Sequence, residues 1–165
     1  SCSVLRNYMP IPNKLLLIHR KTILSLAGGS PRSLISLMNR LYDEEMGNNA
    51  INSDVVSFSP AAISKGLIEF CRRFDYESLQ PSRISDKNNY YNWLNKILLM
   101  KKPYFTISEL CGVFNIKAAT ARTYISQMEK LGIILPDASE NDDTIYRTMD
   151  PRICYLMSRG VSSLN

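Results

Sequence analysis

YFTISELCGVFNIKAATARTYISQMEKLGIIL, residues 104–135, is the stretch whose reading decides the fold. Thr106 followed three residues later by Glu109 is a capping-box pattern: the hydroxyl accepts from the first turn and the carboxylate reaches back to the cap. Ile107, Leu110 and Phe114 then place apolar groups on one helical face, and Asn115 suits the left-handed residue that ends such a helix. Ile116 is positioned to plug the turn. A second helix is expected from Lys117 to Leu131, with Ala118, Ala121, Ile125 and Met128 on its buried side at steps of three, four and three. Its other side carries Lys117, Thr120, Arg122, Thr123 and Gln127. Leu131-Gly132-Ile133-Ile134 closes the helix with glycine and starts a strand. Two helices, a tight turn, a glycine and a strand follow one another within a single short segment.

Working outward, Asp137 to Asp143 reads as a polar hairpin tip and Thr144 to Arg147 as the returning strand. Pro151 opens a short final helix containing Ile153, Cys154, Leu156 and Met157. Upstream, Ser85 or Asp86 is placed to cap a helix carrying Tyr90, Leu94, Ile97 and Leu98, with Trp93 on its flank. Ser30-Pro31 and Ser59-Pro60 each put an N-cap residue before a proline whose missing N–H costs nothing at the first helical position. The first starts a helix with Leu34, Met38 and Leu41 in a stripe, extended by Ile35 and Tyr42 and ended by Gly47-Asn48-Asn49. The second starts an amphipathic helix with Ile63, Leu67, Phe70 and Phe74. Residues 13–27 contain the apolar run Leu15-Leu16-Leu17-Ile18, which fits a strand or a helical turn; helix is the expected state, closed by Gly28-Gly29. The connector around Pro81 divides the chain into a helical region, residues 1–85, and a C-terminal module, residues 86–165.

The 165 residues are 45% hydrophobic and 21% charged, enough apolar material for a core, and the formal net charge is +5. A mild basic excess is compatible with a polyanion partner and with many other functions. Cys2, Cys71, Cys111 and Cys154 show no CxxC spacing, and His19 is the one histidine, so neither a metal site nor any cofactor is expected. Cysteines in helical apolar patterns act as small hydrophobes, and a reduced, cytoplasmic setting is expected. No apolar run reaches the roughly 20 residues of a membrane span. Ser1 is not methionine, as in a processed chain or fragment, and no charged-then-apolar leader is legible.

Candidate chemistry is sparse. His19 lies between Ile18 and Arg20 with no acid or nucleophile pattern, and no carboxylate pair or Ser/His/Asp set is present, so no catalytic residue and no enzyme are expected. Gly28-Gly29-Ser30-Pro31 lacks the lysine and spacing of a P-loop and reads as a turn with a cap. Lys65 and Arg72-Arg73 fall on the polar side of their helix. Tyr90, Tyr91 and Trp93 have the pattern of core or a dimer seam rather than a base-stacking platform.

The segment Ile107 to Tyr146 resembles the winged helix-turn-helix superfamily of bacterial transcription regulators. The resemblance rests on the apolar pair, the turn, Thr120-Ala121-Arg122, Ile125 and Met128-Glu129-Lys130-Leu131-Gly132-Ile133. It covers the C-terminal half and implies a winged helix-turn-helix with a small β-hairpin wing there; with the helical N-terminal region read from its caps and stripes, the expected fold is mainly α. It also implies that the second helix enters the DNA major groove. Lys117, Thr120 and Thr123 would then approach the groove, Arg122 and Gln127 would reach backbone or bases, and Lys101 and Lys102 would touch flanking phosphates. Tyr124 is left open between packing beneath the wing and meeting phosphate. The expected partners are double-stranded DNA and either a second copy or a protein partner bound through the N-terminal helices.

Two features depart from the pattern. Ala118 and Ala119 stand where base-reading side chains often sit. The hairpin is acidic: residues 137–150 hold five acids against Arg147, about −4, whereas residues 101–132 hold five bases against Glu109 and Glu129, about +3. Phosphates repel such a hairpin. A protein-interaction adaptor on the same fold, or a replication or partition DNA-binding protein, are the other functions compatible with these residues.

Overall fold

The computed structural model describes residues 18–48, 58–79, 87–140 and 143–164. The fold is mainly α with a small antiparallel sheet. The chain divides into two compact units, residues 1–70 and 71–165, so the second begins well before the expected boundary at residues 85–86.

In the first unit, α1 (Arg20–Ala27) buries Ile23, Leu26 and Ala27 and stops at Gly28, whose φ of 61° lets its N–H reach Ser25 O. A left-handed residue of this kind is cheapest as glycine. The part of the expected helix before residue 18 lies outside the described residues. Both Ser-Pro starts hold. Ser30 Oγ accepts from Ser33 N at the head of α2 (Pro31–Asn48), and Ser59 Oγ accepts from Ala62 N at the head of α3 (Pro60–Arg72). Glu45 is almost fully buried and takes the Ser59 N–H at 2.8 Å, so a carboxylate of α2 caps the approach to α3.

The face of α2 differs from the expected stripe. Leu37 and Leu41 are inside, Leu34 and Met38 only half so, and Ile35 and Tyr42 face outward. The expected terminator Gly47-Asn48 is itself helical. In α3, Ala62, Ile63, Leu67 and Phe70 are buried, but the helix stops before Phe74. The two helices approach closely at Gly66, where an added Cβ would stand 2.7 Å from Leu41 Cδ2 and 3.2 Å from Leu41 Cα. Gly66 is therefore set by packing rather than by backbone conformation.

The second unit opens with the 3-10 turn Tyr76–Leu79, where the buried Tyr76 hydroxyl donates to Cys71 O at 2.7 Å. Next come α4 (Lys87–Leu98), β1 (Tyr104–Phe105), α5 (Ile107–Phe114), α6 (Ala118–Lys130), β2 (Ile134–Glu140), β3 (Asp143–Thr148) and α7 (Pro151–Ser158). Ser85 and Asp86, the expected cap of α4, fall outside the described residues. Trp93 is buried rather than flanking. The capping box at Thr106 and Glu109 forms as expected, and Asn115 ends α5 at φ 50°. Gly132, at φ 69°, turns the chain out of α6.

The three strands lie in the order β1-β3-β2, and β1 is a strand that the apolar pattern does not announce. Tyr104 and Phe105 pair with Arg147 and Tyr146 of β3, which in turn pairs with β2 from Ile134↔Thr148 to Glu140↔Asp143. The strands thus run further than expected, carrying Asp137 within β2 rather than at the tip. The register shifts between Pro136 and Ala138, leaving Asp137 as the extra residue of a bulge. One face of the sheet, with Phe105 and Ile134 buried and Phe105 stacked on Tyr146 at 6.2 Å, is turned toward the helices.

Asp150 caps α7, accepting from Arg152 N at 2.8 Å and from Ile153 N. It also holds the Arg152 guanidinium through Nε at 2.9 Å and a terminal nitrogen at 2.5 Å. Arg152 is buried, with its guanidinium 3.6 Å from the Phe74 ring centroid. Burial works against the Arg152 charge, but the hydrogen bond and charge of Asp150 outweigh it and raise its pKa. This pair explains why Phe74 leaves the α3 stripe: it stacks on a cation of its own unit.

Two stability outcomes follow. Gly66→Ala gains about 1 kcal/mol of helix propensity but meets Leu41 backbone and side chain, and overpacking of this kind costs about 1–3 kcal/mol. The urea midpoint should fall; a raised midpoint would show that α2 yields freely. Arg152→Ala leaves the half-buried Asp150 without its cation and empties a buried site against Phe74, and should destabilise the second unit by roughly 3 kcal/mol. Chemical denaturation followed by tyrosine and tryptophan fluorescence reads this loss, and an unchanged midpoint would remove the pair from the core.

Candidate nucleic-acid interface

Helix α6 places the residues singled out in the sequence. Ala121, Ile125 and Met128 face inward, with Leu110 of α5 among the most buried side chains of the unit. Small Ala121 lets the two helices cross closely, and Ile116 N donates to Cys111 O in the turn between them. Ala118 is exposed, contrary to the expected spacing. It belongs to the first turn, ahead of the region where α6 meets its neighbours, so its place in the stripe does not bury it.

Lys117, Thr120, Arg122 and Thr123 are all exposed, and Gln127 is half-buried. At 3.6 residues per turn, Thr120, Thr123 and Gln127 share one stripe, while Arg122 stands about 100° round from Thr123. Lys117 is the N-cap, in an extended conformation, and its side chain makes no capping hydrogen bond. Thr123 returns its hydroxyl proton to Ala119 O at 3.2 Å, leaving only its lone pairs for an external donor. Half-exposed Ser126 and exposed Lys130 extend the same surface; their alternation with the buried positions is a signal that could have included them.

The flanking lysines part company. Lys101 is exposed and adopts φ 57°, a left-handed conformation at the end of α4. Lys102 instead pairs with Glu109, the carboxylate of the capping box. The Lys102 side-chain hydrogen bond, followed by the Thr106 backbone N–H, holds the Glu109 carboxyl below its ordinary value of 4.5.

Tyr124 neither lies beneath the hairpin nor points outward. Its ring meets Trp93 edge-on at 5.0 Å and Phe114 at 6.0 Å. Lys96 Nζ sits 4.2 Å from the Trp93 centroid and 4.5 Å from that of Tyr124, a cation over two aromatic faces. Trp93 and Lys96 are neighbours at i and i+3, but their meeting with Tyr124 spans residues far apart in sequence. The cluster fixes α6 on α4 and α5 from behind, so the outward stripe is held on a braced helix.

Burial, then the nearby Asp150 charge, pushes the Cys71 thiol up to about 12, with Arg152 opposing. The same two causes push Tyr90 to about 12 and lift Tyr76 far above the ordinary phenol range. Burial also raises Cys154. Thiols held protonated in this way are poor nucleophiles and poor metal ligands. Among the described residues no three His, Cys, Asp or Glu side chains group as a metal site, and no helix is long and apolar enough to cross a membrane.

No family model, curated protein or solved structure matches the chain.

The Glu109 shift has a pH consequence. Because its folded pKa is lowered, it contributes stability above the ordinary glutamate value and loses it as pH falls through the folded value. The wild-type denaturation midpoint should drop more steeply across the acid range than that of Glu109→Gln. Parallel curves would show that the Lys102–Glu109 contact is not maintained in solution.

Proposed function

We propose that the second unit is a double-stranded DNA-binding module of the winged helix-turn-helix kind and that the protein is a transcription regulator. The observation that carries this reading is the outward face of α6. Lys117, Thr120, Arg122 and Thr123 are exposed on a helix whose opposite face is locked by Ala121, Ile125 and Met128. A helix of this width fits the major groove, where lysine and arginine meet phosphate and threonine or glutamine read base edges. Ala118 and Ala119 add no bulk at the helix start, which favours close approach of the phosphate backbone to the first turn. Lys101 supplies a further exposed cation, whereas Lys102 is already engaged by Glu109. Asp137 and Asp143 are exposed on the hairpin, so contact runs through α6 with the hairpin held off the duplex.

An adaptor role is a second reading, favoured by the outward Ile35, Tyr42 and Met46 of α2. Their steps of seven and four make an apolar stripe suited to a protein partner bound through the N-terminal helices.

Fluorescence anisotropy with a labelled random duplex, at low and moderate salt, tests the DNA reading. Each phosphate contact contributes about 0.9 to the slope of log affinity against log salt. Lys117→Ala with Arg122→Ala should weaken binding and lower that slope by about 1.8. Lys101→Gly should lower it by about 0.9 while leaving thermal stability unchanged or slightly higher, since glycine relieves the left-handed backbone. Failure of the wild type to bind at low salt, or an unchanged slope in the double variant, overturns the reading.

A further inference from the structure

Where α6 gives way to β2 and β3 to α7, the second unit holds a half-open cleft of about 250 Å³. Its walls are apolar: Leu94 of α4, Leu131 at the end of α6, Ile133 and Ile153, all of them buried. Leu79 and Met149 also line it and are 44% and 40% exposed, so they stand at its rim.

A small polar group interrupts the apolar wall. Tyr90 and Arg152 both line the cleft, and both are more than nine-tenths buried. Asp150 accepts from Nε and one terminal nitrogen of Arg152; the other terminal nitrogen has no partner among the described residues. The Tyr90 hydroxyl likewise makes no hydrogen bond among them, although the charges of Asp150 and Arg152 both act on it. Buried polar groups are rarely left without partners, and each exception needs a reason. Thr148 Oγ1 is unpaired too, but it is sealed from solvent, so the donors open to a bound molecule are Tyr90 and Arg152.

We propose that this cleft is a binding site for a small uncharged molecule, a single substituted ring carrying one hydrogen-bond acceptor. Volume sets the size: a cavity of about 150 Å³ takes up benzene, so the cleft admits one ring with a short substituent. The donors set the polar end, since a carbonyl oxygen accepts from Tyr90 and Arg152 while the ring lies against Leu94, Leu131 and Ile133. The surroundings exclude charge. Apolar walls make an unpaired ion costly, Asp150 already neutralises Arg152, and the guanidinium repels a cation. Beyond the effect of burial, Asp150 raises the Tyr90 hydroxyl more than Arg152 lowers it, so the local field also disfavours an anion. A mainly apolar hollow with a few convergent polar groups is the usual form of a small-molecule site. None of these residues belongs to the outward stripe of α6, so the proposal does not rest on the DNA reading.

Titration of the isotope-labelled full chain with acetophenone, followed by amide NMR, tests it. The Gly132, Ile133, Met149 and Ile153 resonances should shift together and saturate with a Kd on the order of 1 mM, the range for a ligand of this size. Benzoate, of similar shape but charged, should bind at least about tenfold more weakly. Ethylbenzene lacks the acceptor and should bind about three- to tenfold more weakly than acetophenone. Tyr90→Phe should narrow that gap by weakening acetophenone and leaving ethylbenzene unchanged. Met149→Trp, at the exposed rim, should block entry and abolish the shifts. The proposal is overturned if the wild type shows no saturable shifts, or if benzoate or ethylbenzene binds as tightly as acetophenone. Shifts that persist in Met149→Trp also overturn it, because they place the ligand elsewhere.

Discussion

The Asp150 carboxylate is the point on which the second unit turns. One side chain accepts the first N–H groups of α7, neutralises Arg152 and, through that guanidinium, holds Phe74. The start and the end of the unit are thereby joined by one ion pair, its arginine buried and its carboxylate half-buried. Its geometry meets the condition that makes burial of charge tolerable, since both ions are hydrogen-bonded and the cation is stacked on a ring. The same negative charge contributes to raising Cys71, Tyr76 and Tyr90 and helps keep them neutral.

From that anchor the rest of the unit is arranged in two opposed surfaces. Behind α6, buried Trp93 and half-buried Lys96, Phe114 and Tyr124 form a brace, with lysine over two rings. In front, α6 shows a polar, mildly basic stripe in which small residues begin the helix. On the far side of the sheet, Arg147 stands between Tyr104 and Leu135 and pairs with Asp137. A braced helix presenting polar side chains suits a rigid polyanion, because little side-chain or backbone entropy is lost beyond that of the contacting groups.

The acidic hairpin becomes intelligible in the same frame. Asp137 reads in the sequence as part of a repelling tip, yet the bulge turns it back toward Arg147. Lys102 shows the reverse case: read as a phosphate contact, it is drawn to Glu109 by the capping box. In each case the net charge along the chain does not show which charge already has a neighbour within reach.

What the sequence determined by itself was local. The capping box at Thr106 and Glu109, the left-handed Asn115, Gly132 after α6 and the Ser-Pro starts of α2 and α3 act within about one helical turn, so their residues suffice to place them. The mainly α character, the two-helix turn and the hairpin follow from those signals and from periodicity. Tertiary structure decided which face was buried wherever more than one was apolar: Leu37 rather than Leu34 on α2, and Trp93 inside rather than on a flank. It also decided what met across long separations. The pairing of β1 with β3, the grip of Arg152 on Phe74 and the seat of Tyr124 between Trp93 and Phe114 each join residues that no local pattern links. Caps and turns are satisfied by the backbone beside them, whereas burial depends on the volume and charge of whatever the rest of the chain brings alongside.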